Sequence, residues 1–301
     1  VSGKFAANID HTQVAGGYDA YMNLFMNGGR PYKFVEILSQ LAWGLGYCGM
    51  PHILIRFMAV KDEKELKKSS LIAISWCFLS LVAACFIGIV GRAYLVDNVL
   101  TGGQTESVFI TMIERVFTKN IGIPFVGGLF LCGILAAIMS TADSQLLVCA
   151  SSVSKDIYKS FIRKDADDKR IMKVTRITVI VVALIAIVIA WDPESSIMGL
   201  VSDAWAGLGS AFGPAIVLAL FWKRANMPGT VVGIITGGLT VLIWDYIPLM
   251  GGKTLAVTTG IYSLLTGFIL SLFVNVIVSL ATKAPSAEIV AEFEKVDAYS
   301  E

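Results

Sequence analysis

Seven stretches of this chain are apolar over lengths close to a bilayer crossing: about 34–59, 69–95, 121–154, 176–191, 197–221, 228–247 and 256–281. A helix needs roughly 20 predominantly apolar residues to span the hydrocarbon core. A chain with so many runs of this length folds in a membrane, not around one water-facing core. Composition agrees. Of 301 residues, 55% are hydrophobic and only 16% charged, where a soluble domain carries about a quarter. The expected class is an all-α polytopic membrane protein. The net charge of +1 gives no support to a nucleic-acid partner. The cysteines, Cys48, Cys77, Cys85, Cys132 and Cys149, lie singly in apolar runs without metal-site spacing; buried free thiols behave as small hydrophobes.

The flanks divide the chain. Residues 1–33 are polar and Gly-rich and read as an extracellular loop remnant, 34–281 as a transmembrane domain of about seven helices, and 282–301 as a charged, solvated cytoplasmic tail. The chain starts at Val1 without a methionine, and no apolar run precedes Phe34, so no signal peptide is read. It is expected to be the C-terminal piece of a longer protein. The third run is too long to lie wholly in lipid, and its last turns are expected to project into the cytoplasm. The fourth is short and is followed by only the turn 192–195. The connection 96–120 is partly amphipathic and is expected to hold short helices over the outer face. With the N-terminus outside, the inner connections carry 16 Lys and Arg against 7 outside, with Arg56 snorkelling from within a span. Positive charge favours the cytoplasmic side, which places the N-terminus outside and the C-terminus inside a cell membrane.

One apolar run is interrupted by polar residues. AAIMSTADSQLL, Ala136 to Leu147, places Ser140, Thr141, Asp143 and Ser144 inside the third span. Residues three and four apart share a helix face, so Ala137, Ser140, Thr141 and Ser144 form one stripe. Hydroxyl and carbonyl oxygens suit a hard cation such as sodium, and this stripe supplies about half of a coordination shell. Ser and Thr in membrane helices also hydrogen-bond a neighbouring helix or their own backbone, and spacing leaves both readings open. Asp143 is off the stripe, toward the inner charged connection, where capping, pairing with a basic residue and facing the cytoplasmic ion exit are the readings open to it. Acids inside spans are rare and usually functional.

The first span carries LAWGLGYCGMPHI, Leu41 to Ile53, with Trp43, Tyr47 and Pro51 at steps of four and Gly44, Gly46 and Gly49 between them. Those glycines and the proline are expected to break the helix and free backbone groups, which membranes tolerate only where protein or a cavity satisfies them. A broken helix beside aromatic faces points to a transporter substrate site; a kinked packing helix is the other reading. SDAWAGLGSAFGP, Ser202 to Pro214, repeats small residues around Trp205, with Asp203 near the outer end. His52 with Ser140 would be needed for a membrane serine hydrolase, but no GxSxG turn surrounds the serine. Neither is there a Walker motif for ATP-driven pumping, so no enzyme activity is expected.

On these motifs, and above all on GGLFLCGILAAIMSTADSQLLVCASSVSKDIYK (Gly127 to Lys159), the chain resembles the sodium:solute symporter family, with LAWGLGYCGMPHI, LVSDAWAGLGSAFGP and KAPSAEIVAEF similar to its bacterial sodium/proline members. The resemblance implies a leucine-transporter-like inverted-repeat fold, here the second repeat plus two peripheral helices. It implies a sodium site at the Ala137 carbonyl and the Ser140 and Thr141 hydroxyls, completed by a helix outside this chain. It implies substrate contacts from Trp43, Tyr47 and Pro51. Sodium would be the coupling ion, with no organic cofactor, and L-proline the solute. Another amino acid, a carboxylate such as pantothenate, or a sensory module on the same fold are the alternatives. A small or uncharged residue is expected in proline carriers where Asp143 stands.

Overall fold

The computed structural model describes residues 2–11, 15–191, 196–249 and 251–300, and the turn expected at 192–195 lies outside them. The described chain is almost wholly helical. In order, the helices are α1 (Ser2–His11), α2 (Gly17–Met22), α3 (Phe34–Leu41), α4 (Trp43–Gly46), α5 (Pro51–Met58), α6 (Glu63–Tyr94), α7 (Val108–Ile113), α8 (Pro124–Ser151), α9 (Asp168–Ile189), α10 (Ile197–Phe221), α11 (Met227–Tyr246), α12 (Leu255–Thr259), α13 (Ser263–Ala281) and α14 (Ala287–Ser300). The only sheet among the described residues is a two-stranded ribbon, β1 (Met26–Asn27) with β2 (Arg30–Pro31). Among the described residues, six helices are long and apolar enough to cross a membrane: those built on α6, α8, α9, α10, α11 and α13. The chain is an all-α polytopic membrane protein.

Several boundaries differ from those read in the sequence, each for a local reason. The run 34–59 is not one helix but α3, α4, a 3-10 turn at Tyr47–Gly49 and α5. Met50 adopts extended backbone (φ −88°, ψ 111°) just before Pro51, and a residue preceding proline is pushed out of the helical region. α6 starts six residues early because Asp62 caps it, accepting from the Glu65 amide at 2.9 Å. α9 starts at Asp168, capped by Asp167, so its first turns are charged and only its remainder is apolar. α8 runs on as a π-helical segment, Ser152–Ile162, giving one helical run of 39 residues from Pro124. At the last span, Gly260 takes φ 68° and separates α12 from α13. Residues 1–33, expected as a loop, carry α1 and α2, and the expected solvated tail is helical through α14.

The chain divides into two compact units, Val1–Arg30 with Ala59–Ile197, and Pro31–Met58 with Met198–Glu301. In the first, the long helices leave their side chains exposed on nearly every face: Leu71, Ile74, Phe78 and Leu81 on α6, Ile180, Leu184 and Val188 on α9. Helices apolar all round belong in lipid or in the core of a larger assembly. Polar ties gather at their ends. Asn8 Nδ2 donates to the Ala93 carbonyl at 2.9 Å, Arg115 pairs with Asp97 at 2.8 Å, and Thr175 Oγ1 donates to Ser154 Oγ at 2.9 Å, joining α9 to the π-helical end of α8.

In the second unit, α10, α11 and α13 pack through small residues. α11 buries Gly229, Gly233 and Gly237, and α13 turns Ser263, Leu264, Gly267, Phe268, Ser271, Asn275 and Ser279 inward. Without a hydrophobic force between helices in lipid, association relies on close backbone approach and interhelical hydrogen bonds. Ser271 Oγ donates to the Gly233 carbonyl at 2.8 Å, and Ser210 Oγ to the Leu264 carbonyl at 3.3 Å. Asn226 caps α11 and also reaches the end of α13, donating to Thr282 Oγ1 (2.8 Å) and the Lys283 carbonyl (2.7 Å).

Candidate functional site

The polar stripe lies on a continuous α-helical stretch of α8, and the expected face is formed. Ser140 Oγ donates to the Ala137 carbonyl at 3.0 Å, and Thr141 Oγ1 donates to the same carbonyl at 3.2 Å. One turn on, Ser144 Oγ donates to the Ser140 carbonyl at 2.9 Å. Two hydroxyls therefore share one acceptor and place three oxygens side by side. Ala137, Ser140 and Thr141 are all exposed in this chain. An open apolar groove of about 570 Å³, lined by Phe109, Val126, Leu129, Phe130, Gly133, Ile134 and Ala137, runs along α8 to the stripe. Asp143 is exposed, off this face, and has no hydrogen bond or ion pair among the described residues.

In the second unit, the broken first span delivers aromatic rings to α10 and α13. The Trp43 ring stacks on Trp205, with centroids 5.5 Å apart and planes 13° from parallel, and on Tyr262 at 5.9 Å and 16°. Tyr47 meets Trp205 edge-on at 4.9 Å and 84°. Trp205 Nε1 donates to the Trp43 carbonyl at 3.0 Å, so the interruption of the span gives a backbone carbonyl to a side-chain donor. Two glycines admit this contact. A Cβ on Gly46 would overlap the Trp205 indole, and one on Gly49 would sit 2.5 Å from the Leu208 carbonyl oxygen. Gly44 faces open space.

Tyr262 is held at three points. Its amide donates to Ser39 Oγ at 2.6 Å, its hydroxyl donates to the Ser202 carbonyl at 2.7 Å, and its ring covers Trp43. A cavity of about 380 Å³ opens beside it, bounded by Ser39, Gln40, Trp43, Ser202, Ile261 and Tyr262 among others. A cavity of this size with apolar aromatic walls and a few polar groups suits a small organic molecule.

Of the three residues expected on one face of the first span, Trp43 and Tyr47 converge on Trp205. The step from Tyr47 to Pro51 is not helical because Met50 is extended, and Pro51 instead starts α5. Tyr262, Ser39 and Ser202 were not marked by the sequence. Their contacts span 60 to 223 positions, beyond the reach of periodicity. Trp205 was visible only as an aromatic among small residues. Asp203 accepts from the Tyr246 hydroxyl at 2.6 Å.

These features define an integral membrane protein with a hydroxyl-lined helix and a broken, aromatic-backed span. The sequence profile of the sodium:solute symporter family matches residues 8–237. The chain is 45% identical over 252 residues to the osmoregulated proline transporter OpuE of Bacillus subtilis (strain 168), covering 84% of this chain and 49% of the relative. It is 40% identical over 271 residues to the sodium/proline symporter of Escherichia coli (strain K12), covering 89% and 51%. To the high-affinity proline transporter PutP of Bacillus subtilis (strain 168) it is 41% identical over 257 residues, covering 85% and 52%. The chain belongs to the sodium:solute symporter family. It spans about half the length of the curated relatives it matches.

Proposed function

We propose that the full-length protein containing this chain takes up L-proline across the cell membrane, coupled to inward movement of sodium by alternating access. The observation that carries the reading is the convergence of the Ser140 and Thr141 hydroxyls on the Ala137 carbonyl, in a chain whose relatives are named as proline transporters and sodium/proline symporters. In this reading Na⁺ takes the Ser140 and Thr141 hydroxyls and the Ala137 carbonyl, one hydroxyl releasing that carbonyl as the ion enters. The other oxygens come from the part of the protein outside this chain. Trp43, Tyr47 and Pro51 contribute to the solute site, and the Tyr262 and Trp205 rings hold Trp43 in place.

The energetics follow from the charge carried. An ion crossing the membrane field gains roughly 2.3 kcal/mol per charge per 100 mV, and its concentration gradient adds to that. Sodium shifts the conformational equilibrium only through different affinity for the outward and inward states. Sodium and proline therefore tighten each other's binding by the same factor. Lys61 before α6, Lys67 and Lys68 in its first turns, and the basic run from Lys155 to Arg176 lie on the cytoplasmic side in this reading, as does the C-terminus. The test is competition for labelled proline uptake by unlabelled proline, other amino acids and pantothenate. Displacement by pantothenate and not by proline would transfer the solute assignment.

A further inference from the structure

α9 has two sides of different character. Ile171, Val174, Thr175, Thr178 and Val182 are half-buried, and Thr175 ties this side to Ser154 at the π-helical end of α8. The opposite side is exposed: Lys169, Met172, Lys173 and Arg176, then Ile180 and Leu184. Residues three, four and seven apart share a helix face, so these six form one lengthwise stripe. It is positively charged over its first two turns and apolar beyond them. An open groove of about 460 Å³ lies against the charged part, lined by Asp168, Lys169, Met172, Lys173 and Arg176. The side chains of Lys169, Lys173 and Arg176 have no ion pair among the described residues. Asp167 is occupied in capping α9 and in pairing with Arg170. Asp168 alone brings an acid to the groove, which therefore carries three positive charges against one negative.

Like charges one turn apart on a helix repel, and an anion seated among them relieves that repulsion. The order along the stripe says which anion. At 1.5 Å per residue, the three cations span about 10 Å of helix, and the exposed apolar residues continue for about 12 Å to Leu184. Charge followed by hydrocarbon is the order of a phospholipid lying beside a spanning helix, headgroup outermost and acyl chain below. Basic clusters at the end of an apolar helix are attracted to anionic lipid headgroups, whereas a nucleic acid or an acidic protein would match the charges and leave the apolar half uncovered. We propose that this face of α9 holds an anionic phospholipid, its phosphodiester among Lys169, Lys173 and Arg176 and an acyl chain along Ile180 and Leu184. The site is separate from the Ala137, Ser140 and Thr141 stripe. It does not depend on the solute or the coupling ion, because it needs only that this end of α9 meet a leaflet surface.

The experiment uses the purified, delipidated full-length protein in neutral detergent. Native mass spectrometry follows titration with dioleoylphosphatidylglycerol and with dioleoylphosphatidylcholine in separate arms. A third arm adds glycerophosphoglycerol, the same headgroup without acyl chains, as competitor. The first phosphatidylglycerol is expected to bind about tenfold or more tighter than the first phosphatidylcholine. Lys173→Gln with Arg176→Gln should weaken phosphatidylglycerol binding by about fivefold for each charge removed, with phosphatidylcholine binding and thermal melting unchanged. The charge-conserving pair Lys173→Arg with Arg176→Lys should keep the affinity. Lys67→Gln with Lys68→Gln removes the same charge from α6 and should leave binding as it was. No preference for phosphatidylglycerol overturns the proposal, as does an equal loss in the two glutamine pairs, which would mean bulk charge. Displacement by glycerophosphoglycerol at the concentrations where the lipid binds also overturns it, since the groove would then take a free phosphodiester.

Discussion

Trp205 is joined to Trp43 in two ways: its ring stacks on the Trp43 ring at 5.5 Å, and its Nε1 donates to the Trp43 carbonyl at 3.0 Å. The two contacts have different chemistry and can be removed separately. Trp205→Phe keeps an aromatic surface and deletes the donor, at a cost of about 1 kcal/mol of stability, read by thermal melting of the full-length protein. Trp43→Ala removes the surface itself and should raise the KM for proline by about tenfold or more, the loss expected of an aromatic contact. An unchanged KM with reduced expression would make Trp43 a packing residue alone.

The glycines of the first span are predicted to differ sharply. Gly46→Ala and Gly49→Ala place a methyl group against Trp205 and the Leu208 carbonyl, whereas Gly44→Ala meets nothing within 4 Å. Overpacking costs about 1–3 kcal/mol, so the first two should lower the melting temperature and Gly44→Ala should not. Equal effects at all three would refute the close contact.

Ser140→Ala and Thr141→Ala should each raise the sodium concentration for half-maximal uptake, by about tenfold if one ligand is worth 1.4 kcal/mol. Ser144→Ala serves as the comparison. Its hydroxyl bonds the Ser140 carbonyl one turn away, so its effect should be smaller. Unchanged sodium dependence in both Ser140 and Thr141 variants would return those hydroxyls to backbone bonding.

How much could be read in advance follows from the range of each interaction. The stripe from Ala137 to Ser144 was legible because a helix repeats every three or four residues, and α8 is regular there. The break near Pro51 was legible because glycine and proline act locally. Its consequence was not: the extended Met50 takes Pro51 off the step that Trp43 and Tyr47 share. Broken there, the first span is not among the six long apolar helices of the described residues. Tyr262 and Ser39 meet across 223 positions, and no local pattern encodes such a pair. Asp143 was marked as unusual by composition, and nothing in the structure explains it.

The α11 and α13 pair makes a separate prediction about stability. Ser271 Oγ bonds the Gly233 carbonyl in a fully buried setting. Hydrogen bonds between membrane helices average about 0.6 kcal/mol, so Ser271→Ala should destabilise by about that amount in detergent unfolding. A bulky Gly233→Leu should do far more, since even a Cβ there lies 2.9 Å from the Asn275 side chain.

The account is tested most directly by uptake of radiolabelled proline into proteoliposomes containing the full-length protein, with either sodium or potassium as the external cation. Accumulation that requires an inward sodium gradient, rises with an inside-negative potential and collapses in potassium is the predicted result. Equal accumulation in sodium and potassium would contradict it.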